Sequence, residues 1–157
     1  MRMTCMGIPF PSPLVLAHEL APLLTGLDWG IGGSLLLFHL SLVTTPKDLD
    51  IVTTPEDFPE FQKRLSAFFG TPTQVDHATY ASTHFSRFTS PHGVNLDLMA
   101  GIRVRTGTGF KSWDFKPQTI SVESGLPWMQ PQDWLELYEM FDRPERATLL
   151  RNYLEKG

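Results

Sequence analysis

The sequence predicts a single α/β (α+β) domain: a mixed β-sheet flanked by helices, with a short C-terminal helical pair. Segments with helical periodicity alternate with short strand-like segments, and two amphipathic segments close the chain. A length of 157 residues, 41% of them hydrophobic and 19% charged, suits one ordinary globular core. We expect an irregular arm over residues 1–13, an α/β core over 14–125 and C-terminal helices over 126–157.

Helices and strands alternate in the first half of the chain. The predicted elements are a helix over 14–24, a strand over 27–31, a helix over 34–43, a strand over 48–52 and a helix that starts near Thr54 and stops at Gly70. Thr54 can cap the last of these helices, since Pro55 fits its first position and acids follow. The glycine at position 70 is a typical helix terminator.

The second half is predicted to be strands followed by helices. A turn cluster, Ser90-Pro91-His92-Gly93, separates strand-like residues 80–89 from 94–99 and indicates a hairpin. Residues 105–117 are rich in Gly, Lys, Arg and Thr, and we expect them to form a loop. The remaining predicted elements are a strand over 118–122 and helices over 131–141 and 144–154.

Charge and composition narrow the class of protein. The net charge is −4 and the pI about 5.7, whereas proteins that hold long nucleic acid carry a basic surplus. Cys5 is the single cysteine, so an internal disulfide is excluded. The start of the chain lacks a signal-peptide pattern, and its most apolar window, residues 31–43, is too short to span a membrane. We therefore expect a cytoplasmic protein.

A glycine turn is the first candidate feature for chemistry. Gly32-Gly33-Ser34 lies between a predicted strand and a predicted helix. Glycines let backbone N–H groups approach a phosphate, and the following helix start favours anions. A plain strand-to-helix turn explains the same residues, so the turn alone does not define a site.

Acidic residues on two strands are the second candidate feature. Asp48 and Asp50 share one face of a strand because side chains alternate, and two such carboxylates can turn onto one divalent cation. Asp97 lies on the polar face of a later apolar strand. It completes a three-carboxylate cluster if the two strands are neighbours; otherwise these acids simply face water.

Together these features resemble the nucleotidyltransferase superfamily that includes DNA polymerase beta. Its signature is Gly-Gly-Ser at a strand-to-helix turn, an acid-x-acid strand and a third acid on a later strand. The run WGIGGSLLLFHLSLVTTPKDLDIVTTPEDF carries the first two parts, and VNLDLMAGIRV resembles the third. The C-terminal stretch LPWMQPQDWLELYEMFDRPER resembles the last helices of small bacterial members, the minimal and toxin-type nucleotidyltransferases.

The resemblance implies a nucleotidyltransferase fold and transfer of a nucleoside monophosphate from an NTP, such as ATP, to an acceptor hydroxyl. It implies two Mg²⁺ ions, or Mn²⁺, bound by Asp48 and Asp50. Asp97 would help bind the ion that activates the acceptor and serve as general base. The phosphate-binding residues would be Gly32, Gly33 and Ser34. Arg103, like Arg105 and Lys111, can also reach phosphates from the later strand and loop, or it is simply a solvated charge.

Several alternatives stay open from the sequence. Strand alternation would turn Lys47 away from the acids. Arg143 and Arg146 can reach a triphosphate or pair on the helix surface with Glu139 or Asp142.

The acceptor, a small molecule, a tRNA end or a protein, is not specified, and a protein partner or homodimer can complete the site. Two other functions compete: a catalytically silent nucleotide-binding module or toxin–antitoxin-like component, and a metal-dependent phosphoesterase or nuclease.

Overall fold

A computed structural model gives the fold and describes residues 4–5, 8–9, 12–74, 82 and 84–156. The helices are α1 (Ser12–Leu20), α2 (Gly33–His39), α3 (Phe58–Phe69), α4 (Pro131–Met140) and α5 (Pro144–Lys156), with 3-10 turns at Ala21–Leu24 and Pro117–Thr119. The strands are β1 (Thr4–Cys5), β2 (Ile8–Pro9), β3 (Trp29–Gly32), β4 (Leu49–Thr53), β5 (Thr73–Gln74), β6 (His84–Thr89), β7 (Asn95–Ala100), β8 (Ile102–Thr106), β9 (Gly109–Trp113), β10 (Ser121–Glu123) and β11 (Leu126–Trp128).

A seven-stranded mixed sheet in the order β10-β11-β3-β4-β7-β6-β5 forms the centre of the molecule. Strand β4 runs antiparallel to β3 and parallel to β7. Ile31, Ile51 and Leu98 lie in register across these three strands, and all three are fully buried. One residue further along lies the row Gly32, Asp50 and Asp97. Because strand side chains alternate, this second row faces the opposite side of the sheet.

Helices close the sheet and carry the remaining core. Leu35, Leu36 and Leu37 of α2 and Phe61 and Leu65 of α3 are almost completely buried. The two C-terminal helices begin at prolines, where a missing N–H group costs nothing. They pack against each other and are joined by a short turn in which Asp142 has φ 57°, a conformation that aspartate tolerates. No helix among the described residues has both the length and the apolar composition to cross a membrane.

The predicted fold class is confirmed, including the mixed sheet and the C-terminal helical pair. The predicted helix over 34–43 ends early, at His39. Strand β11 was not predicted; it places residues 126–128 in the sheet, so the helical pair starts at Pro131. In the arm, β1 and β2 pair with each other, and its other residues up to position 11 lie outside the described part. Likewise, Tyr80 and Ala81 of the predicted hairpin strand lie outside the described residues.

The prediction of a loop over 105–117 is wrong. Strands β8 and β9 form a two-stranded hairpin of their own, paired from Ile102↔Trp113 to Thr106↔Gly109. Buried Ile102, Val104 and Trp113 share one face of this hairpin, which gives it an anchor in the core. The glycines and threonines at its tip suggested a loop, although short runs of alternating apolar and polar residues flank them on both sides.

Candidate active site

The three predicted carboxylates line one cleft of about 410 Å³. Asp50 and Asp97 are direct neighbours in the parallel pair of β4 and β7, and Asp48 lies two residues before Asp50. Strand β7 is therefore next to β4, as a three-carboxylate cluster requires. We refer to Asp48, Asp50 and Asp97 as the carboxylate trio.

The cleft has chemically distinct sides. Cationic side chains, Lys47, Arg87, Arg143 and Arg146, share it with the carboxylate trio. Apolar and aromatic side chains complete the lining, among them Phe85, Met99, Trp134 and Phe141. Helices α4 and α5 thus form a wall of the cleft, and the sheet supplies its acids. A volume of this size is within the range of small-molecule sites.

The glycine turn brings the backbone against the carboxylate trio. Gly33 has φ +63°, and a Cβ there would overlap the carboxylate of Asp50. A Cβ at Gly32 would overlap the ring of Trp134. Both glycines therefore permit a close approach that a larger residue would block. Neither glycine is among the residues that line the cleft; each contributes space for its neighbours instead.

Ser34 fixes the position of the segment that leads into β4. Its side chain is buried, and its Oγ accepts a hydrogen bond of 2.9 Å from the backbone N–H of Lys47. This bond ties the start of α2 to the residue before Asp48. Ser34 also lines the cleft, so its hydroxyl is available to a bound group on the same side as the trio.

Arg87 makes a two-pronged ion pair with Asp97 across strands β6 and β7. Its Nε donates to Oδ1 at 2.7 Å and its Nη2 donates to Oδ2 at 3.0 Å. The two residues are direct register partners. The Asp97 side chain is 11% exposed and that of Arg87 38%. The hydrogen bond that Arg87 donates to Asp97 is the main reason why the pKa of Arg87 is raised. Such geometry holds a carboxylate firmly in one orientation.

The carboxylate trio is electrostatically coupled. Burial is the largest cause that raises the pKa of Asp50, and repulsion from Asp97 and Asp48 adds to it, so that this pKa is about 7. Arg146 and Arg87 act in the opposite direction. Burial, followed by repulsion from Asp97, also raises the pKa of Asp48. Arg146 and Arg87 only partly offset burial and carboxylate repulsion at Asp50, and a cation bound beside Asp48 and Asp50 would stabilise their ionised forms further.

Lys47 and Arg146 both line the cleft, although strand alternation was expected to turn Lys47 away from the acids. Strand β4 begins only at Leu49, so strand alternation does not control the side chain of Lys47. Glu139 pairs with Arg151 at 3.0 Å, while Arg146 Nη1 reaches the hydroxyl of Tyr138 at 3.5 Å. Surface pairing thus engages a different arginine and leaves Arg146 directed toward the cleft.

Arg103, predicted to bind phosphate, is not among the side chains that line this cleft. Its guanidinium lies 4.4 Å from the centre of the Phe110 ring on the β8–β9 hairpin. Its backbone is linked to the site, because the N–H of Arg103 donates to Ser82 Oγ at 3.2 Å and Ser82 lines the cleft.

Sequence reasoning missed several cleft residues, above all Arg87. Phe85 and Arg87 alternate on β6 and lie in register with Met99 and Asp97 of β7, which also line the cleft. The signal in the sequence was the hairpin, but the predicted turn of four residues places Arg87 opposite Leu96, and only a turn one residue longer pairs it with Asp97. Trp134 and Tyr138 are four residues apart on α4 and so share one helix face.

The cleft offers two carboxylates to a divalent cation. Within the described residues, no three His, Cys, Asp or Glu side chains are grouped closely enough to hold a metal ion. Both carboxylate oxygens of Asp97 accept hydrogen bonds from Arg87. Asp48 and Asp50 remain, and Mg²⁺ is commonly bound by one or two carboxylates with substrate phosphates. The donor set therefore fits Mg²⁺ in the presence of a phosphate ligand.

Two solved structures are similar to this chain across most of its length. One is a protein from Thermotoga maritima described as a nucleotidyltransferase, with 21% identity, a TM-score of 0.68, and coverage of 94% of this chain and 97% of that one. The other is ANT(2″)-Ia in complex with adenylyl-2″-tobramycin, with 12% identity, a TM-score of 0.55, and coverage of 90% and 87%. No protein-family model and no curated protein matches the sequence. The sheet, the glycine turn and these two likenesses together show that the chain has the nucleotidyltransferase fold.

Proposed function

We propose that this protein transfers a nucleoside monophosphate from an NTP to an acceptor hydroxyl. The observation that carries the proposal is the meeting of three carboxylates, the Gly33-Ser34 turn and several cationic side chains in one cleft of this fold. Phosphoryl transfer needs positioning and charge neutralisation more than covalent participation by the protein. The cleft contains residues suited to positioning a phosphate group and to neutralising its charge.

In the proposed reaction, the acceptor oxygen bonds to the α-phosphorus as the bond from that phosphorus to the α–β bridging oxygen breaks. Pyrophosphate leaves, and the acceptor proton passes to a carboxylate. We assign the proton to Asp97, because Arg87 fixes its orientation and a carboxylate that accepts two hydrogen bonds keeps free lone pairs. Ser34 and Arg146 are placed to hold the β- and γ-phosphates, and Arg143 also lines the cleft.

Asp48 and Asp50 are the residues that would hold Mg²⁺, or Mn²⁺ in its place. When bound, the ion supplies neutralisation of phosphate charge and acidifies the attacking hydroxyl. Repulsion within the carboxylate trio supports this assignment, since a cation at Asp50 would lower the pKa that burial and its neighbours raise. A second ion would also need Asp97, each of whose carboxylate oxygens already accepts a hydrogen bond from Arg87.

The same ion pair favours one alternative function, a nucleotide-binding module without turnover. If Arg87 holds Asp97 permanently, the site keeps two carboxylates for a cation and lacks the third. A nucleotide could then bind in the cleft without reacting. This alternative extends to a role as one half of a toxin–antitoxin-like pair, in which a protein partner rather than an acceptor occupies the site.

Thermal unfolding with each of ATP, GTP, CTP and UTP, in Mg²⁺ or in EDTA, tests the proposal. A ligand that binds only the native state at about 100 times its dissociation constant adds ~2.7 kcal/mol to stability. We expect one NTP to stabilise the wild type only with Mg²⁺, and the Asp50→Asn variant to lose this dependence. The matched control is Asp114→Asn, an identical charge change at an exposed position outside the cleft lining.

Release of pyrophosphate, measured with candidate acceptors present, separates the hypotheses. Pyrophosphate release identifies transfer, whereas release of inorganic phosphate identifies a phosphoesterase. Nucleotide binding without either product supports the silent module. Absence of any NTP-dependent shift, with or without Mg²⁺, would contradict both nucleotide hypotheses.

A further inference from the structure

The β8–β9 hairpin has two faces of opposite character. Register pairs Arg103 with Ser112 and Arg105 with Phe110, so these four residues share one face. The other face carries buried Ile102, Val104 and Trp113, which anchor the hairpin in the core. The Arg103–Arg105–Phe110 face is therefore held on a stiff support rather than on a free loop.

This face combines positive charge with an exposed aromatic ring. The guanidinium carbons of Arg103 and Arg105 lie 4.4 and 5.6 Å from the centre of the Phe110 ring. Phe110 is nevertheless 52% exposed. Residues 101–113 hold three of the chain's 13 Lys and Arg and none of its 17 Asp and Glu. In an acidic protein, this hairpin is a local basic patch.

The hairpin begins at the edge of the catalytic cleft. Met99 lines the cleft, the chain turns at Gly101 with φ 59°, and β8 starts at the next residue. The bond from the Arg103 N–H to Ser82 connects the hairpin to another cleft residue. Arg103 is four residues after Met99, so their Cα atoms are at most roughly 14 Å apart. About four stacked nucleotides, at ~3.4 Å each, cover that distance.

We propose that the Arg103–Arg105–Phe110 face binds single-stranded nucleic acid, with phosphates on the arginines and a base on Phe110. Bases stack on aromatic rings whatever their sequence, and basic side chains follow the backbone. A short single strand suits the small patch, whereas the net charge of −4 opposes extended duplex binding. The further interpretation, that the bound nucleic acid is the acceptor and that its terminal hydroxyl reaches the cleft, rests on the proposed nucleotidyl transfer. The binding of nucleic acid to this face does not depend on it.

Fluorescence anisotropy with a labelled single-stranded RNA of roughly 12 nucleotides tests the binding, in EDTA and without NTP. We expect Phe110→Leu to weaken binding by about 5- to 100-fold, because leucine keeps the apolar contact and loses the stacking face. Arg105→Gln should weaken it and lower the slope of log K against log salt by ~0.7. Arg151→Gln, the same charge change on α5, should match the wild type. Far-UV circular dichroism and melting curves check that each variant is folded.

Several outcomes would overturn the proposal. With the variants, these are equal weakening of RNA binding by Arg105→Gln and Arg151→Gln, or unchanged RNA binding by folded Phe110→Leu. With other polymers, they are equal affinity for the corresponding duplex, or displacement of the labelled RNA by polyglutamate as readily as by unlabelled RNA. Asp50→Asn distinguishes this proposal from the proposed function. Nucleotidyl transfer is contradicted if the protein neither binds an NTP nor forms a product. If the wild type and Asp50→Asn then still bind RNA equally, the nucleic-acid site is supported independently of that function.

Discussion

Replacement of Asp50 by asparagine is expected to stabilise the metal-free protein at about pH 8 and to flatten its stability profile between about pH 5 and pH 8. Burial and two neighbouring carboxylates raise the pKa of Asp50 from 3.8 to about 7. Asparagine has a similar shape but no charge to bury or to repel Asp48 and Asp97. The variant therefore stays close to the protonated state of the wild type at every pH.

The sign follows from the protons bound by each state. Between the unfolded pKa of 3.8 and the native pKa of about 7, the native state holds more protons on Asp50 than the unfolded state does. Stability therefore falls as pH rises through this window and levels off above it. At 1.36 kcal/mol per pKa unit, the whole shift corresponds to about 4 kcal/mol, of which roughly 2 to 3 kcal/mol falls between pH 5 and pH 8.

Urea unfolding at a series of pH values, in EDTA, measures this effect. The wild type should lose stability as the pH is raised, and Asp50→Asn should exceed it by up to about 4 kcal/mol at pH 8. Asp114→Asn serves as the control for loss of one negative charge. Parallel pH profiles of the wild type and Asp50→Asn would show that Asp50 is ionised in the native protein throughout this range.

Local patterns were sufficient to predict the elements around the site. Glycines at positions 32 and 33, followed by an apolar helix, marked the turn, and Asp48-Leu49-Asp50 marked the acidic strand. The pairing of β4 with β7 could not be derived in the same way. These strands are separated in sequence by a helix and a hairpin strand, and no local signal fixes the parallel register that places Asp50 beside Asp97.

The position of Arg87 shows why a small error in a turn hides a functional residue. The predicted hairpin left four residues between its strands, a count that places Arg87 opposite Leu96 and on the buried face. In the structure, Val94 also belongs to the turn, because its N–H donates to Ser90 Oγ at 3.1 Å. This one-residue shift pairs Arg87 with Asp97 and turns it into the cleft.

The C-terminal helices illustrate the opposite case. Proline starts, amphipathic periodicity and the break at Asp142-Arg143-Pro144 predicted both helices to within two residues. The sequence left open whether Arg143 and Arg146 reach the cleft, because that depends on how the pair packs against the sheet. Trp134, Tyr138 and Arg146 reach the site only through that packing.

Loss of Arg87 is expected to destabilise the protein far more than loss of Asp97. Arg87→Gln leaves the Asp97 carboxylate, 11% exposed, without its cation and beside two further acids. Removing one partner of a buried ion pair costs about 3 to 5 kcal/mol of stability. Because the guanidinium of Arg87 is 38% exposed, we expect the lower end of this range, about 3 kcal/mol. Asp97→Asn should cost about 1 kcal/mol or less, since Arg87 keeps access to water and the trio loses one repulsive charge.

A double-mutant cycle at about pH 8 in EDTA tests this asymmetry, with unfolding by urea as the measurement. If Arg87 acts mainly as the counter-ion of Asp97, the variant with both Arg87→Gln and Asp97→Asn will be more stable than Arg87→Gln alone, because the second change removes the uncompensated carboxylate. Simple addition of the two single effects would instead indicate that Arg87 stabilises the fold through packing on β6. The same result would remove the basis for Arg87 as the group that orients Asp97, and with it the assignment of Asp97 as the proton acceptor.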